Sequence, residues 1–204
     1  MLKKKTINIH NVTYYYYDEG SGNTLLLLHG WLDQSDDYLR LITELSKRFR
    51  IIAPDLPNFG DSKTIEPFVL NTYLLFLERF IKTIKINPIF IGHSFGGRIA
   101  LEYLIRKKIQ KTKIILINSA GLRIKRSKLA FAFSVLFNSI YELLSKEGFF
   151  PMVRILKNWF RNFFNNVKKD NFWGLFTEIL FTNISFLPNL NTNCVLLWGG
   201  TILF

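Results

Sequence analysis

Strand patterns and helix patterns alternate along the N-terminal half of the chain. Apolar and polar residues alternate with a period of two over residues 7–9 and 12–16, with a break near Asn11, and this predicts a β-hairpin with tyrosines on one face. Continuous apolar runs, typical of parallel strands covered on both faces, follow at residues 24–28, 50–53, 88–91 and 113–117. Apolar residues at helical spacing predict helices over residues 39–45, 68–84 and 99–105. This alternation predicts an α/β fold with a doubly wound, mostly parallel sheet.

The apolar run at residues 88–91 leads into a serine that has a glycine two positions before it and two positions after it. Ser94 stands between Gly92 and Gly96, and a helical pattern begins directly afterwards. A strand, a sharp turn and a helix in this order hold a serine in a strained backbone conformation, for which small flanking residues give clearance. We therefore expect the Ser94 hydroxyl at the edge of the sheet, with the Phe95 N–H placed to stabilise an oxyanion.

A second apolar run, residues 25–28, ends in His29, Gly30 and Trp31. The strand, sharp turn and helix around Ser94 form the pattern of a nucleophile elbow. With this elbow and the His-Gly turn, the sequence resembles the α/β-hydrolase family along essentially the whole chain. The resemblance implies that Ser94 is the nucleophile and that the backbone N–H groups of Phe95 and Trp31 form the oxyanion hole. It also implies six residues that support the elbow and the turn: His29, Gly30, Gly92, His93, Gly96 and Gly97.

Residues 54–62 form a loop by composition and resemble the family's D-x-P-G-x-G-x-S segment, with Asn58 where a glycine is usual. Asparagine tolerates a left-handed backbone, so the turn is expected to persist. In the family this loop organises the region beside the elbow. Asp55 is therefore interpreted as a structural residue and not as the catalytic acid.

The alternation of strand and helix patterns ends at residue 121. Residues 122–187 contain helical stretches rich in aromatic residues, with twelve of the chain's 20 phenylalanines. By resemblance they are interpreted as a helical cap inserted into a core made of residues 1–121 and 188–204, over a pocket for a small-molecule acyl substrate with an apolar moiety. Packing of the cap on the core explains the aromatic residues equally well. A basic amphipathic stretch, residues 128–144, also leaves open contact with an anionic membrane surface.

The catalytic triad is incomplete in this sequence. A serine needs a histidine to take its proton and a carboxylate to orient that histidine, and in the family both follow the serine. The strand that normally precedes the acid is recognisable at residues 193–199, but no carboxylate follows Trp198 and no histidine follows Ser94. The chain contains three histidines, and none of them is predicted to act as the base: His10, His29 and His93.

Two hypotheses account for this gap. The first is a serine hydrolase that acts on a carboxylic ester or similar acyl bond through an acyl-Ser94 intermediate, present as a C-terminally truncated chain lacking the family's last strand and helices. It is preferred because Ser94, its small neighbours and the His-Gly turn are all intact. The second is a non-catalytic binding protein that keeps the pocket. Truncation would leave the sheet with an unpaired edge, and the sequence does not predict an oligomeric state.

The composition of the chain limits which partners and which cellular location we expect. The net charge of +12 would suit a polyanion, but the lysines are scattered and no nucleic-acid motif is present, so we expect a solvated basic surface and no nucleic-acid partner. The single cysteine, Cys194, cannot form an internal disulfide, and no apolar run approaches the roughly 18 residues of a membrane span, which predicts a cytoplasmic protein. Without a metal-ligand cluster or a phosphate loop, no metal and no cofactor are expected.

Overall fold

The computed structural model describes residues 2–62, 67–109, 112–120, 193–198 and 201–203. Within these ranges, eight strands form one sheet in the order β1-β2-β4-β3-β5-β6-β7-β8. The strands are β1 (Lys5–Ile9), β2 (Val12–Glu19), β3 (Thr24–Leu28), β4 (Arg50–Pro54), β5 (Ile89–His93), β6 (Lys113–Ile117), β7 (Asn193–Trp198) and β8 (Thr201–Leu203). The helical cap predicted over residues 122–187 lies outside the described residues.

The pairing of the strands confirms the predicted doubly wound, mostly parallel sheet. Strands β4, β3, β5, β6 and β7 run parallel to one another, whereas the hairpin β1-β2 joins β4 in antiparallel fashion. The outer edge of β7 carries the short antiparallel strand β8, with Trp198 opposite Thr201. Three residues are too few to show an alternating pattern, which is why the sequence did not predict β8.

In the part of the chain that the structure describes, three α-helices cover the sheet: α1 (Leu39–Leu45), which continues a 3-10 helix (Ser35–Tyr38), α2 (Leu70–Ile84) and α3 (Phe95–Arg106). Side chains of β3 alternate between two hydrophobic clusters. Leu25 and Leu27 pack with Ile42 of α1 on one face. Leu26 and Leu28 pack with residues of α2 and α3 on the other face. Both faces of β3 are therefore covered, and this explains its continuous run of apolar residues.

The carboxyl ends of β3 and β5 lie next to each other at one edge of the sheet. Leu28 is paired with Gly92, so the three residues after Leu28 and the three residues after Gly92 emerge side by side. Open α/β sheets bind their ligands outside the carboxyl ends of the strands. The His-Gly turn (residues 29–33) and the elbow that contains Ser94 thus meet at the edge where a site is expected.

Candidate active site

Ser94 joins β5 to α3 in a strained backbone conformation. Its φ is 47° and its ψ is −110°, outside the regions that L-residues ordinarily occupy. The Ser94 N–H donates to the Ile117 carbonyl at 2.9 Å, and the Ser94 carbonyl accepts from Ala120 N–H at 3.0 Å. The end of β6 therefore fixes the elbow from the neighbouring strand, as is needed to hold a conformation that costs about 1–3 kcal/mol.

The glycines around Ser94 are needed for close backbone approach. A Cβ added to Gly92 would lie 2.6 Å from the Gly97 nitrogen, and one added to Gly96 would lie 2.6 Å from the His29 carbonyl oxygen. At Gly97 an added Cβ would lie 2.6 Å from Ser119 Oγ. A side chain at any of these three positions would therefore overlap with neighbouring atoms.

The His29 ring is a structural part of the His-Gly turn. It is buried, its Nε2 accepts from the Leu56 N–H at 2.9 Å, and its Nδ1 donates to the Gly30 carbonyl at 2.8 Å. Burial lowers the pKa of His29 below its ordinary value, which keeps the ring neutral in the tautomer that these two bonds require. Both ring nitrogens are thus engaged by the backbone.

Trp31 and Phe95, the two predicted oxyanion donors, lie next to each other. They occupy equivalent positions, three residues beyond the paired Leu28 and Gly92, and their rings pack edge to face with centroids 5.0 Å apart. Phe95 is the first residue of α3, a position whose N–H has no carbonyl partner inside the helix.

The other two histidines have different surroundings. His10 is exposed in the turn between β1 and β2. His93 lies with its Nδ1 2.7 Å from the Tyr38 hydroxyl and 3.4 Å from Asp33 Oδ2. The sequence did not single out Asp33 and Tyr38, and their nearness to the His-Gly turn along the chain was the available signal. Within the described ranges, no side chain hydrogen-bonds the Ser94 hydroxyl.

Residues 23–175 match the family model described as the alpha/beta hydrolase fold. The chain belongs to the α/β-hydrolase family. Among relatives of this chain is the uncharacterized hydrolase YugF of Bacillus subtilis, 30% identical over 155 residues that cover 72% of this chain and 56% of YugF. A pimeloyl-[acyl-carrier protein] methyl ester esterase of Pectobacterium atrosepticum is 30% identical over 52% of this chain and 41% of the esterase. The chain thus spans about half the length of these relatives.

A solved structure resembles nearly the whole of this α/β-hydrolase chain. It is the crystal structure of a membrane phospholipase A, a bacterial virulence factor, with a TM-score of 0.74 and 26% sequence identity over 97% of this chain and 70% of that chain. Other relatives carry the names of different hydrolases, including a soluble epoxide hydrolase of Corynebacterium. The longest helix within the described ranges, α2, has 15 residues, and none of the described helices is long and apolar enough to cross a membrane.

Asp55 is the centre of a buried polar cluster. Its carboxylate accepts from the Ser35 N–H at 2.8 Å, the Ser35 hydroxyl at 2.6 Å, the Asp61 N–H at 2.9 Å and Lys4 Nζ at 2.8 Å. Asn58, in the same loop, has the left-handed backbone that was predicted, with a φ of 70°. These contacts agree with the structural interpretation of Asp55.

The strain at Ser94 makes a prediction about stability. Ser94→Gly should raise the free energy of unfolding by about 1 kcal/mol relative to Ser94→Ala, because glycine relieves the strain at this φ and ψ but loses more entropy on folding. Both variants lack the hydroxyl, so the comparison isolates the backbone. Urea unfolding followed by circular dichroism measures the difference. An alanine variant as stable as the glycine variant would mean that the elbow is not strained.

Proposed function

We propose that this protein is a serine hydrolase that cleaves a carboxylic ester or a similar acyl bond through an acyl-Ser94 intermediate. The Ser94 oxygen attacks the carbonyl carbon and loses its proton to a base, and the bond to the leaving alcohol breaks. Water then attacks the acyl group and releases the acid and free Ser94. The observation that carries this proposal is the conformation of Ser94, which is strained, surrounded by glycines and followed directly by a helix.

In this proposal the backbone N–H groups of Phe95 and Trp31 stabilise the negative oxygen that forms during the attack. A helix N-terminus carries partial positive charge and unsatisfied N–H groups, which supports the role of Phe95. The adjacency of the two residues, with their rings 5.0 Å apart, supports a shared role. Preorganised donors of this kind are commonly worth a factor of about 10²–10³ each in rate.

The proposed reaction also needs a base that takes the proton from the Ser94 hydroxyl. No histidine follows Ser94 in the 204 residues, and the two nitrogens of His29 are engaged by the backbone. Without its histidine a serine hydrolase loses on the order of 10⁶ in kcat, so an activated ester is needed to detect Ser94 in the present chain.

The substrate we propose is an ester with an apolar acyl or alkyl moiety. Two similar proteins are named for ester cleavage, the pimeloyl methyl ester esterase and the membrane phospholipase A. The aromatic residues of the predicted cap, residues 122–187, support an apolar pocket. The cytoplasmic location and the cap itself stay predictions.

Acylation by p-nitrophenyl butyrate tests the proposal. We expect one butyryl group per chain, located on Ser94 by peptide mass spectrometry, and none on Ser94 in Ser94→Ala. Ser46→Ala, at the end of α1, is the matched control and should be acylated like the unchanged protein. Labelling that is spread over several serines, or that persists in Ser94→Ala, would show that Ser94 is not the nucleophile.

The alternative is a non-catalytic binding protein of the same family. It is favoured by one observation, the absence of any side chain bonded to the Ser94 hydroxyl within the described ranges. Butyrate esters that bind without acylating Ser94 would support it, whereas release of more than one equivalent of p-nitrophenol, dependent on Ser94, would exclude it.

A further inference from the structure

Three side chains meet beside the His-Gly turn, next to Ser94 but separate from the proposed oxyanion donors. The Tyr38 hydroxyl donates to Asp33 Oδ2 at 2.9 Å, and the same hydroxyl lies 2.7 Å from His93 Nδ1. Asp33 Oδ2 is also 3.4 Å from His93 Nδ1. Three polar atoms from three parts of the chain are therefore close enough to form one hydrogen-bonded triangle, which we call the turn brace.

The direction of the hydrogen bonds in the turn brace follows from the number of protons available. Tyr38 has a single hydroxyl proton, and Asp33 accepts it. The 2.7 Å contact with His93 then requires the Nδ1 of His93 to donate to the phenol oxygen. The ring must carry its proton on Nδ1, which leaves Nε2 as the unprotonated nitrogen when the ring is neutral.

The pKa directions of Asp33 and Tyr38 favour the same direction of the hydrogen bonds. Burial by itself raises the pKa of Asp33, but the bonds from His93 and Tyr38 outweigh it and hold that pKa below its ordinary value, so Asp33 is ionised. Burial and the Asp33 carboxylate raise the pKa of Tyr38 far above its ordinary value, against a smaller opposing effect of the Gly30 N–H. Tyr38 therefore keeps its proton and donates it.

The turn brace is in direct contact with the backbone of the His-Gly turn. A Cβ added to Gly30 would lie 2.6 Å from Asp33 Oδ2 and 2.9 Å from His93 Nδ1, so the brace occupies the space beside the Gly30 Cα. The Asp33 N–H also donates to the Gly30 carbonyl at 3.3 Å, and Leu32 within this turn has a left-handed φ of 66°. Such a turn is costly for leucine and needs support from its surroundings.

We propose that Asp33 and Tyr38 are positioning residues that, through His93, hold the His-Gly turn against the elbow and so keep the Trp31 N–H aimed at the acyl oxygen. His93 directly precedes Ser94, and Gly30 directly precedes Trp31, so the brace joins the two halves of the proposed oxyanion hole. This inference rests on the proposed function. It assigns the three residues no contact with the substrate and no proton transfer.

A pair of substrates separates positioning of an oxyanion donor from a general loss of structure. The two substrates are p-nitrophenyl butyrate and its thionoester, in which sulfur replaces the carbonyl oxygen, and the proposed function predicts that both acylate Ser94. Sulfur is a weak hydrogen-bond acceptor, so the thionoester gains little from the Trp31 N–H. In Tyr38→Phe we expect acylation by the oxygen ester to fall by about tenfold and acylation by the thionoester to change less than about threefold, because small misplacements cost large factors in rate.

Tyr17→Phe is the matched control. The Tyr17 hydroxyl also donates to a carboxylate of the 3-10 helix, Asp36 Oδ1 at 2.8 Å, but it does not contact His93 or Gly30. Its ratio of oxygen-ester to thionoester rate should equal that of the unchanged protein. An equal fall of both rates in Tyr38→Phe, or no fall, would overturn the inference.

The state of the His93 ring gives a second test that needs no reaction. Nitrogen-15 NMR should show His93 protonated on Nδ1 in the unchanged protein and in Tyr17→Phe, with loss of this preference in the double variant Asp33→Ala/Tyr38→Phe, which removes both acceptors beside Nδ1. Protonation on Nε2 in the unchanged protein would mean that the turn brace does not exist. Absence of any Ser94 adduct would instead overturn the proposed function, and the role of the brace in it, even if the NMR result agrees.

Discussion

Gly96→Ala should destabilise the protein by about 4 kcal/mol or more, although the same change inside an ordinary helix stabilises by about 1 kcal/mol. Gly96 lies in the first turn of α3, where an added Cβ would be 2.5 Å from the Leu28 carbonyl carbon, closer still to its oxygen, and 2.6 Å from the His29 oxygen. All three are backbone atoms of the buried strand β3 and the turn after it. They cannot move aside without separating α3 from the sheet, so steric overlap outweighs helix propensity.

Gly22→Ala is the control for this prediction. Gly22 has a φ of 91°, but the nearest atom to an added Cβ is the Arg48 oxygen at 3.8 Å. The change there costs only backbone strain, about 1–2 kcal/mol. Unfolding in urea, followed by tryptophan fluorescence and circular dichroism, compares the two variants. A Gly96→Ala protein as stable as the unchanged one would mean that α3 does not approach β3 as closely as described.

Asp55→Asn should cost about 3–5 kcal/mol, the usual penalty for removing one partner of a buried ion pair. The Asp55 side chain is 0% exposed and that of Lys4 is 9% exposed, at a distance of 2.8 Å. Asparagine is close in size, but it has no charge for Lys4, and its amide would bring a second set of donors towards the Ser35 and Asp61 N–H groups. Urea unfolding at neutral pH measures the loss.

Asp61→Asn is the matched control for Asp55→Asn. Asp61 contacts the same Lys4 Nζ at the same 2.8 Å, but its side chain is 56% exposed. Exposed ion pairs contribute at most about 1 kcal/mol, so the control should lose little. Equal losses in the two variants would show that burial does not determine the strength of these pairs.

The difference between the unchanged protein and Asp55→Asn should also depend on pH. Burial raises the pKa of Asp55, but the bonds from Lys4, Ser35 and Asp61 outweigh it and lower the pKa below the ordinary value. A group with a lowered folded-state pKa stabilises the fold above its unfolded pKa, about 3.9, and loses that contribution as the pH falls towards the folded value. The stability difference should therefore be constant near neutral pH and shrink below about pH 4. A difference that stays constant there would contradict the assignment.

The sequence was sufficient to predict those elements whose characteristic residues lie close together along the chain. The apolar run at residues 24–28 became β3 without change of boundary, and the elbow was recognised because Ser94 and its glycines lie within a few residues of one another. The predicted helix over residues 99–105 begins earlier, at Phe95, because the glycines after Ser94 lack the apolar pattern that marks a helix.

Contacts between distant parts of the chain could not be predicted in this way. Lys4 and Asp55 are separated by 51 residues, and Tyr38 and His93 by 55. Nothing in the spacing of these residues indicates that they meet, because their proximity depends on the order of the strands in the sheet. One contact within a short stretch of chain was not predicted either. The Gln34 N–H donates to Asp37 Oδ2 at 3.0 Å, and no apolar pattern indicates this turn.

The order of the strands has a consequence for biosynthesis. Among the described strands, β4 is the last to take an internal place, between β2 and β3. Strand β5 then adds to the free edge of β3, and β6, β7 and β8 each add to the strand before. No later strand has to separate a pairing that already exists. The sheet can therefore be assembled in the order in which the ribosome releases its strands, and the Ser94 N–H gains its acceptor, the Ile117 carbonyl, only after β6 has emerged.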